Sequence, residues 1–198
     1  MPNQRQNASP PPTTCHPLTP DRWPDLERLF GPRGASSGCW CMWWRLPRST
    51  WSHQGNDNNR TAFKALVDGG TIPGLLAYRD DVPVGWCAVQ PRQAYPSLDR
   101  SRVLQRIDEA PVWSITCFYI ARGHRRQGIT ERLIREAVAH ASAHRARIVE
   151  AYPVDPGDGG IASASAFTGL ASAFASAGFV EVARRAPKRP MMRLRVGG

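Results

Sequence analysis

The sequence predicts a single-domain α/β fold, with one mixed central sheet and helices on both of its faces. Three observations lead there. Apolar runs of strand length recur between stretches with helical spacing, so strands and helices alternate along the chain. Clusters of Gly, Pro, Asn and Asp separate them as turns. At 198 residues the chain is long enough to bury one core, and it carries no internal repeat.

Each element follows in order. Residues 1–14 are polar and proline-rich, which predicts a disordered tail ahead of a domain over 15–198. Residues 15–18 suit a short first strand. Thr19 or Asp21 can cap a helix through Trp23, Leu26, Leu29 and Phe30, stopped by Gly31-Pro32. A loop rich in Gly, Ser, Cys and Trp covers 31–55. The polar stretch ending at Asn59 leads into a second helix with Phe63, Leu66 and Val67, ended by Gly69-Gly70. Gly74 to Tyr78 and Val84 to Val89 read as a hairpin about Arg79-Asp80-Asp81. Leu98 to Ile107 predicts a short helix and Trp113 to Ile120 a strand. From Ile129 to about Ser142, Leu133, Ala137 and Ala141 stack at i, i+4, with Ile134 and Val138 beside them, as an amphipathic helix requires. Arg147 to Tyr152 is a strand, 153–160 a Pro/Gly/Asp loop and Phe167 to Ala177 a helix. Phe179 to Ala183 and Met191 to Val196 close as a strand pair.

Composition narrows the function classes. No apolar run approaches the roughly 18 to 20 residues that span a bilayer. The first residues, MPNQRQNASPPPTT, lack the apolar core of a secretory signal, so a cytoplasmic location without a membrane partner is expected. The cysteine count, 5, is odd, which points to free thiols. Cys39 and Cys41 form C-x-C with no second pair at a zinc-site spacing, so buried thiols rather than a metal are expected. The net charge is +10, nearly all of it from arginine, which favours an anionic partner: nucleic acid or an anionic coenzyme. The basic residues gather at 122–147 and 184–195 without interleaved aromatics, which argues against a dedicated nucleic-acid module.

The most informative segment runs from Trp113 to Ala141: an apolar strand, a basic turn with Arg125-x-x-Gly128-x-Thr130, and an amphipathic helix. The first amides of that helix have no intrahelical partner and point outward at the positive end of the helix dipole. Gly128 lets backbone approach a bulky anion, and Arg125 and Arg126 add charge-assisted hydrogen bonds. A phosphate fits this turn; an ordinary helix start beside solvated arginines is the plainer reading.

This segment resembles the core motif of the GNAT superfamily of N-acetyltransferases, in which R/Q-x-x-G-x-G/A cradles the pyrophosphate of acetyl-CoA. The strand Ser114 to Ile120 resembles the one that pairs with the pantetheine arm, and Gly178-Phe179 resembles the closing G-F of the fold. The resemblance covers about residues 15–197. It implies acetyl-CoA as co-substrate, held by Arg125, Arg126, Gln127, Gly128, Ile129 and Thr130, with Tyr119 and Ile120 presenting backbone groups to the pantetheine. It also implies direct acetyl transfer, in a ternary complex, to a small-molecule or peptide amine. Two positions depart from the pattern. Thr130 stands where Gly or Ala is usual, and Phe174 stands where members often carry a tyrosine as general acid.

The remaining chemistry rests on individual side chains. An alkylamine must lose a proton before it attacks, at a cost of about 4 kcal/mol near neutral pH, so a carboxylate base is useful. Glu150, in the apolar strand before Tyr152, is the candidate base, and Tyr152 the substitute acid. The plainer alternatives are a solvent-facing strand residue and a rim aromatic. Cys117 lies in the strand that would border the cofactor and reads as a buried structural thiol. Trp40, Trp43 and Trp44 suggest an aromatic acceptor pocket or a plug over the sheet, with Tyr95 on the opposite wall. A non-catalytic acyl-CoA-binding or RNA-associated module, or an acyltransferase using a charged tRNA, are the competing readings; monomer and homodimer both remain open.

Overall fold

The computed structural model describes residues 12–157 and 166–197. The elements run β1 (Thr14–Pro17), α1 (Trp23–Phe30), α2 (Arg48–Asp68), β2 (Gly74–Arg79), β3 (Val82–Pro91), α3 (Pro96–Asp99), β4 (Trp113–Ile120), α4 (Ile129–Ala143), β5 (Ile148–Ala151), α5 (Ala171–Ser176), β6 (Val180–Arg184) and β7 (Pro190–Arg195). They build one sheet of 7 strands in the order β1-β2-β3-β4-β5-β7-β6. Neighbours are antiparallel except β4 and β5, which run parallel, so the sheet is mixed. The hairpin between β2 and β3 turns on Asp80 and Asp81, both at positive φ, as a tight two-residue turn requires.

Side-chain alternation divides the core between the two faces. Leu75, Ala77, Cys87, Val89 and Ile115 point to one face, where Leu133, Ile134 and Ala137 of α4 and Phe174 of α5 cover them. Leu76, Tyr78, Trp86 and Ala88 point to the other, under Leu26 and Phe30 of α1 and Phe63 and Val67 of α2. Helices on both faces were expected and are found.

Strand ends shift by one or two residues, and three segments differ more from the sequence expectation. The loop expected over 31–55 ends at Pro47, because α2 already begins at Arg48 and breaks only at Gly55 (φ 74°). Its polar first turns hide one anchor, Trp51, which packs edge-on against Trp43 at 4.8 Å. The helix expected from Leu98 to Ile107 shrinks to Pro96–Asp99. Arg92 takes the Leu104 carbonyl at 2.7 Å, which a continuing helix would need. The helix expected from Phe167 starts at Ala171, since Gly169 (φ 85°) and a bridge from Leu170 to Val154 hold that backbone open. Of the expected tail, residues 1–11 lie outside the described residues, as do 158–160 of the expected loop; Thr14 already belongs to β1.

The site is set by where β4 and β5 part. They pair only at Trp113–Val149, Ser114–Glu150 and Ile115–Ala151. Beyond that point β4 continues to Ile120, while the chain leaves β5 through Pro153. On the opposite side Gly85 of β3 lets α4 come close: a Cβ there would stand 3.0 Å from Ile129 and 3.2 Å from Leu133. That contact seats the first turn of α4 at the mouth of the splay.

Candidate functional site

A cavity of about 880 Å³ occupies the splay. One end is the basic turn, with Arg125, Arg126, Gly128, Ile129 and Thr130 in its wall. The other is aromatic, formed by Phe30, Trp43, Trp44, Trp51 and Phe167. The basic turn and the tryptophan loop, far apart in sequence, thus share one space.

The turn is built as an anion cradle. Arg126 and Gly128 both adopt the left-handed conformation, with φ 60° and 76°. A Cβ placed on Gly128 would meet nothing within 4 Å, so the backbone there faces open space. The Arg132 amide is the first to close a helical bond, on Gly128 O at 3.0 Å, which leaves the amides of Ile129 to Glu131 without an intrahelical acceptor. Arg125 Nε donates to Ile120 O at 3.1 Å, tying the turn to the end of β4.

Gln127 does not line the cavity. Its amide donates to Gly123 O at 3.0 Å, and both its side-chain and backbone oxygens accept from the Arg79 guanidinium. Arg79, buried at the end of β2, also donates to Thr13 Oγ1 at 3.1 Å. Arg79 therefore clamps the turn from behind. The sequence puts Arg79 in the hairpin turn, and a partner 48 residues on leaves no local signal of the clamp.

The edge of β4 presents alternate residues to the splay. Ala121 N donates to Val84 O of β3 at 2.9 Å, so Tyr119 by alternation turns its backbone toward β3, and Phe118 and Ile120 turn theirs outward. Phe118 N already donates to Phe167 O at 2.6 Å. Ile120 thus faces the cavity with backbone as expected, whereas Tyr119 contributes its ring to the wall and not its backbone.

A family model for the acetyltransferase (GNAT) family matches residues 39–162. The chain belongs to that family. Solved structures share the fold at low identity. A GNAT-family acetyltransferase from Streptococcus pneumoniae is 11% identical with TM-score 0.56, covering 94% of this chain and 100% of its own. A ribosomal-protein-alanine N-acetyltransferase from Brucella melitensis is 16% identical with TM-score 0.53, covering 92% and 99%. The PaiA N-acetyltransferase of Thermoplasma acidophilum, in complex with coenzyme A, is 10% identical with TM-score 0.54, covering 93% and 99%. No curated protein sequence matches the chain. Among the described residues no helix is long and apolar enough to cross a membrane.

In this GNAT chain the expected base and acid lie behind the cavity wall. Glu150 is 1% exposed; its Oε1 accepts from Arg92 Nη1 (2.8 Å) and the Tyr152 hydroxyl (2.6 Å), and its Oε2 from Arg193 Nε (2.7 Å). Tyr152 also meets Ser114 Oγ at 2.8 Å. Burial first, then the Glu150 charge, pushes the Tyr152 phenol well above its usual range, so it stays protonated. Arg92 and Arg193 reach outward to Asp99 and Asp108. The cluster spans β4, β5 and β7 where the splay begins. The short apolar strand around Glu150 pointed to a special carboxylate, but its two arginine partners, 58 and 43 residues away, are invisible to local pattern.

The tryptophans divide. Trp43 and Trp44 line the cavity, and Trp44 Nε1 donates to Thr116 O at 3.2 Å. Trp40 is buried in the α1–α2 core, stacked on Trp23 at 6.0 Å and donating to Asn56 Oδ1 at 2.8 Å. Tyr95 is likewise buried, under the Arg45 guanidinium at 4.8 Å. Phe174 sits in the core between Phe118 and Phe179, at 6.0 and 5.1 Å. The residue expected to replace a catalytic tyrosine thus packs the sheet.

Proposed function

We propose that this chain is an acetyl-CoA-dependent N-acetyltransferase, moving the acetyl group directly to an amine in a ternary complex. The observation that carries the reading is the single cavity joining the Gly128 cradle to the Trp43–Trp44 wall. The amides of Gly128, Ile129 and Thr130 hold the pyrophosphate, with Arg125 and Arg126 adding charge. Ile120 bonds the pantetheine arm. Trp43 and Trp44 hold the acceptor, a small molecule or a peptide end. The coenzyme A in the Thermoplasma acidophilum neighbour supports the donor by fold analogy.

Glu150 and Tyr152 are assigned to holding β4 against β5. With both committed there, an acceptor gains by arriving neutral, at about 1.4 kcal/mol per unit of amine pKa above the working pH. Weakly basic amines are therefore favoured over alkylamines.

Titration calorimetry with acetyl-CoA tests the donor site. Wild type should bind saturably; Arg125→Ala should bind more weakly and Gly128→Glu, which puts a carboxylate in the cradle, should not bind. Absence of wild-type binding, or wild-type affinity in both variants, overturns the reading. The buried position of Glu150 and Tyr152 also favours a second reading, a non-catalytic acyl-CoA binder. Thiol release above background with an amine panel would exclude that one.

A further inference from the structure

The 5 cysteines are all free thiols, and they fall into two settings. Cys15 and Cys87 belong to the α4 side of the sheet, packed among aliphatic side chains. Burial pushes the Cys15 thiol up to about 11 and the Cys87 thiol well above its usual value. Both are inert. Cys39, Cys41 and Cys117 instead line the cavity beside the aromatic wall.

Cys41 is held in an unusual way. It and Trp40 adopt consecutive left-handed conformations, φ 56° and 42°, which non-glycine residues avoid unless their surroundings enforce it. The fully buried Trp86 points its indole N–H at Cys41 Sγ, 2.9 Å away. An indole nitrogen can only donate, so this bond favours a negative sulfur. Cys117, paired with Ala88 on the sheet face that carries Trp86, lines the same cavity as that sulfur, and the Arg45 guanidinium adds positive charge nearby. These groups pull the Cys41 thiol below its usual value, the neighbouring Cys117 thiol first, despite burial. The Cys41 sulfur, then burial, pushes Cys117 well up, so the pair is asymmetric: one sulfur disposed to ionise, its neighbour kept as a thiol.

We propose that Cys41 and Cys117 form a peroxide-sensitive dithiol in the acceptor wall, a modification site separate from acetyl transfer. The Cys41 thiolate attacks a hydroperoxide oxygen, the O–O bond breaks, and Cys41 becomes a sulfenic acid while hydroxide (or alkoxide) leaves. The Cys117 sulfur then attacks the sulfenic sulfur; its proton and the sulfenic hydroxyl leave as water, and a disulfide remains. Sulfur has lost two electrons and the hydroperoxide has gained them. The bond ties the tryptophan loop to β4 inside the cavity, and a dithiol reductant reverses it.

Intact-mass spectrometry of the full chain, titrated with hydrogen peroxide, tests this. Wild type should lose two hydrogens, restored by dithiothreitol, with Cys41 and Cys117 recovered in one cross-linked peptide. Cys117→Ser should stop at a Cys41 sulfenic acid that dimedone traps, and Cys39→Ser should oxidise as wild type does. Cys41→Ser should form no such cross-link; a thermal melt shows whether that variant is folded, and the Cys117→Ser trap decides the matter if it is not. A cross-link through Cys39, dimedone labelling of Cys117 but not Cys41 in the single variants, or a wild-type chain unchanged by peroxide would each overturn the proposal.

Discussion

Replacing Glu150 by glutamine separates a structural role from a catalytic one. The substitution keeps the shape and removes the charge. Glu150 and Arg92 are 1% and 2% exposed, and Arg193 is 12% exposed, so both cations lose a carboxylate partner away from solvent. Removing one member of such a buried pair costs about 3–5 kcal/mol. Each arginine keeps a second carboxylate, Asp99 at 2.7 Å and Asp108 at 2.6 Å, which places the loss near the lower end, about 3 kcal/mol. With a urea m-value of about 2 kcal/mol per M, the midpoint should fall by about 1.5 M at constant m. Acetyl transfer, measured well below that midpoint, should change little. The reasoning is refuted by the reverse pattern: a midpoint within about 0.3 M of wild type together with a loss of kcat of about 100-fold, the size expected for a general base.

Arg79→Ala removes the clamp on Gln127 without touching the cavity wall, and should weaken acetyl-CoA binding about tenfold, or about 1.4 kcal/mol; calorimetry giving an unchanged Kd would show that the turn holds itself. Phe174→Tyr should not raise turnover, because the ring packs between Phe118 and Phe179, and its buried hydroxyl should cost about 1–3 kcal/mol in a chemical melt. A gain in kcat would place the ring at the cavity instead. Burial, then the neighbouring His144, pushes the His140 imidazole from 6.5 down to about 4. The unfolded chain therefore takes up a proton below about 6.5 that the folded chain refuses until about 4, so stability should fall as pH drops through that window. His140→Gln should flatten the fall, as urea midpoints at neutral and mildly acidic pH will show; equal slopes would refute it.

Local signals were legible where one residue type answers to one constraint. The bounds of β4 and the start of α4 coincide with the expectation, because apolar period and glycine mark them, whereas α1 starts at Trp23 after Arg22, with neither Thr19 nor Asp21 as its cap. The cradle was legible because Gly128 and the first turn of α4 adjoin in sequence. What escaped was long-range pairing. Trp40, Trp43 and Trp44 look alike in a row, yet the left-handed turn at Trp40 and Cys41 sends Trp40 inward and leaves the other two in the cavity. Glu150 and Tyr152 read as isolated polar groups until Arg92, from the turn after β3, and Arg193, from β7, arrive. The Cys41–Trp86 bond spans 45 residues and has no sequence pattern of its own.

The short seam between β4 and β5 has a mechanical consequence. Only three residue pairs join them, so β1 to β4 meet β5, β7 and β6 along a short seam, and the apolar core beneath it, from Cys87 and Ile115 to Val149 and Met192, carries the rest of the connection. At its middle, Ser114–Glu150, two guanidinium groups grip the same carboxylate, so the seam is closed by charge where backbone pairing is shortest.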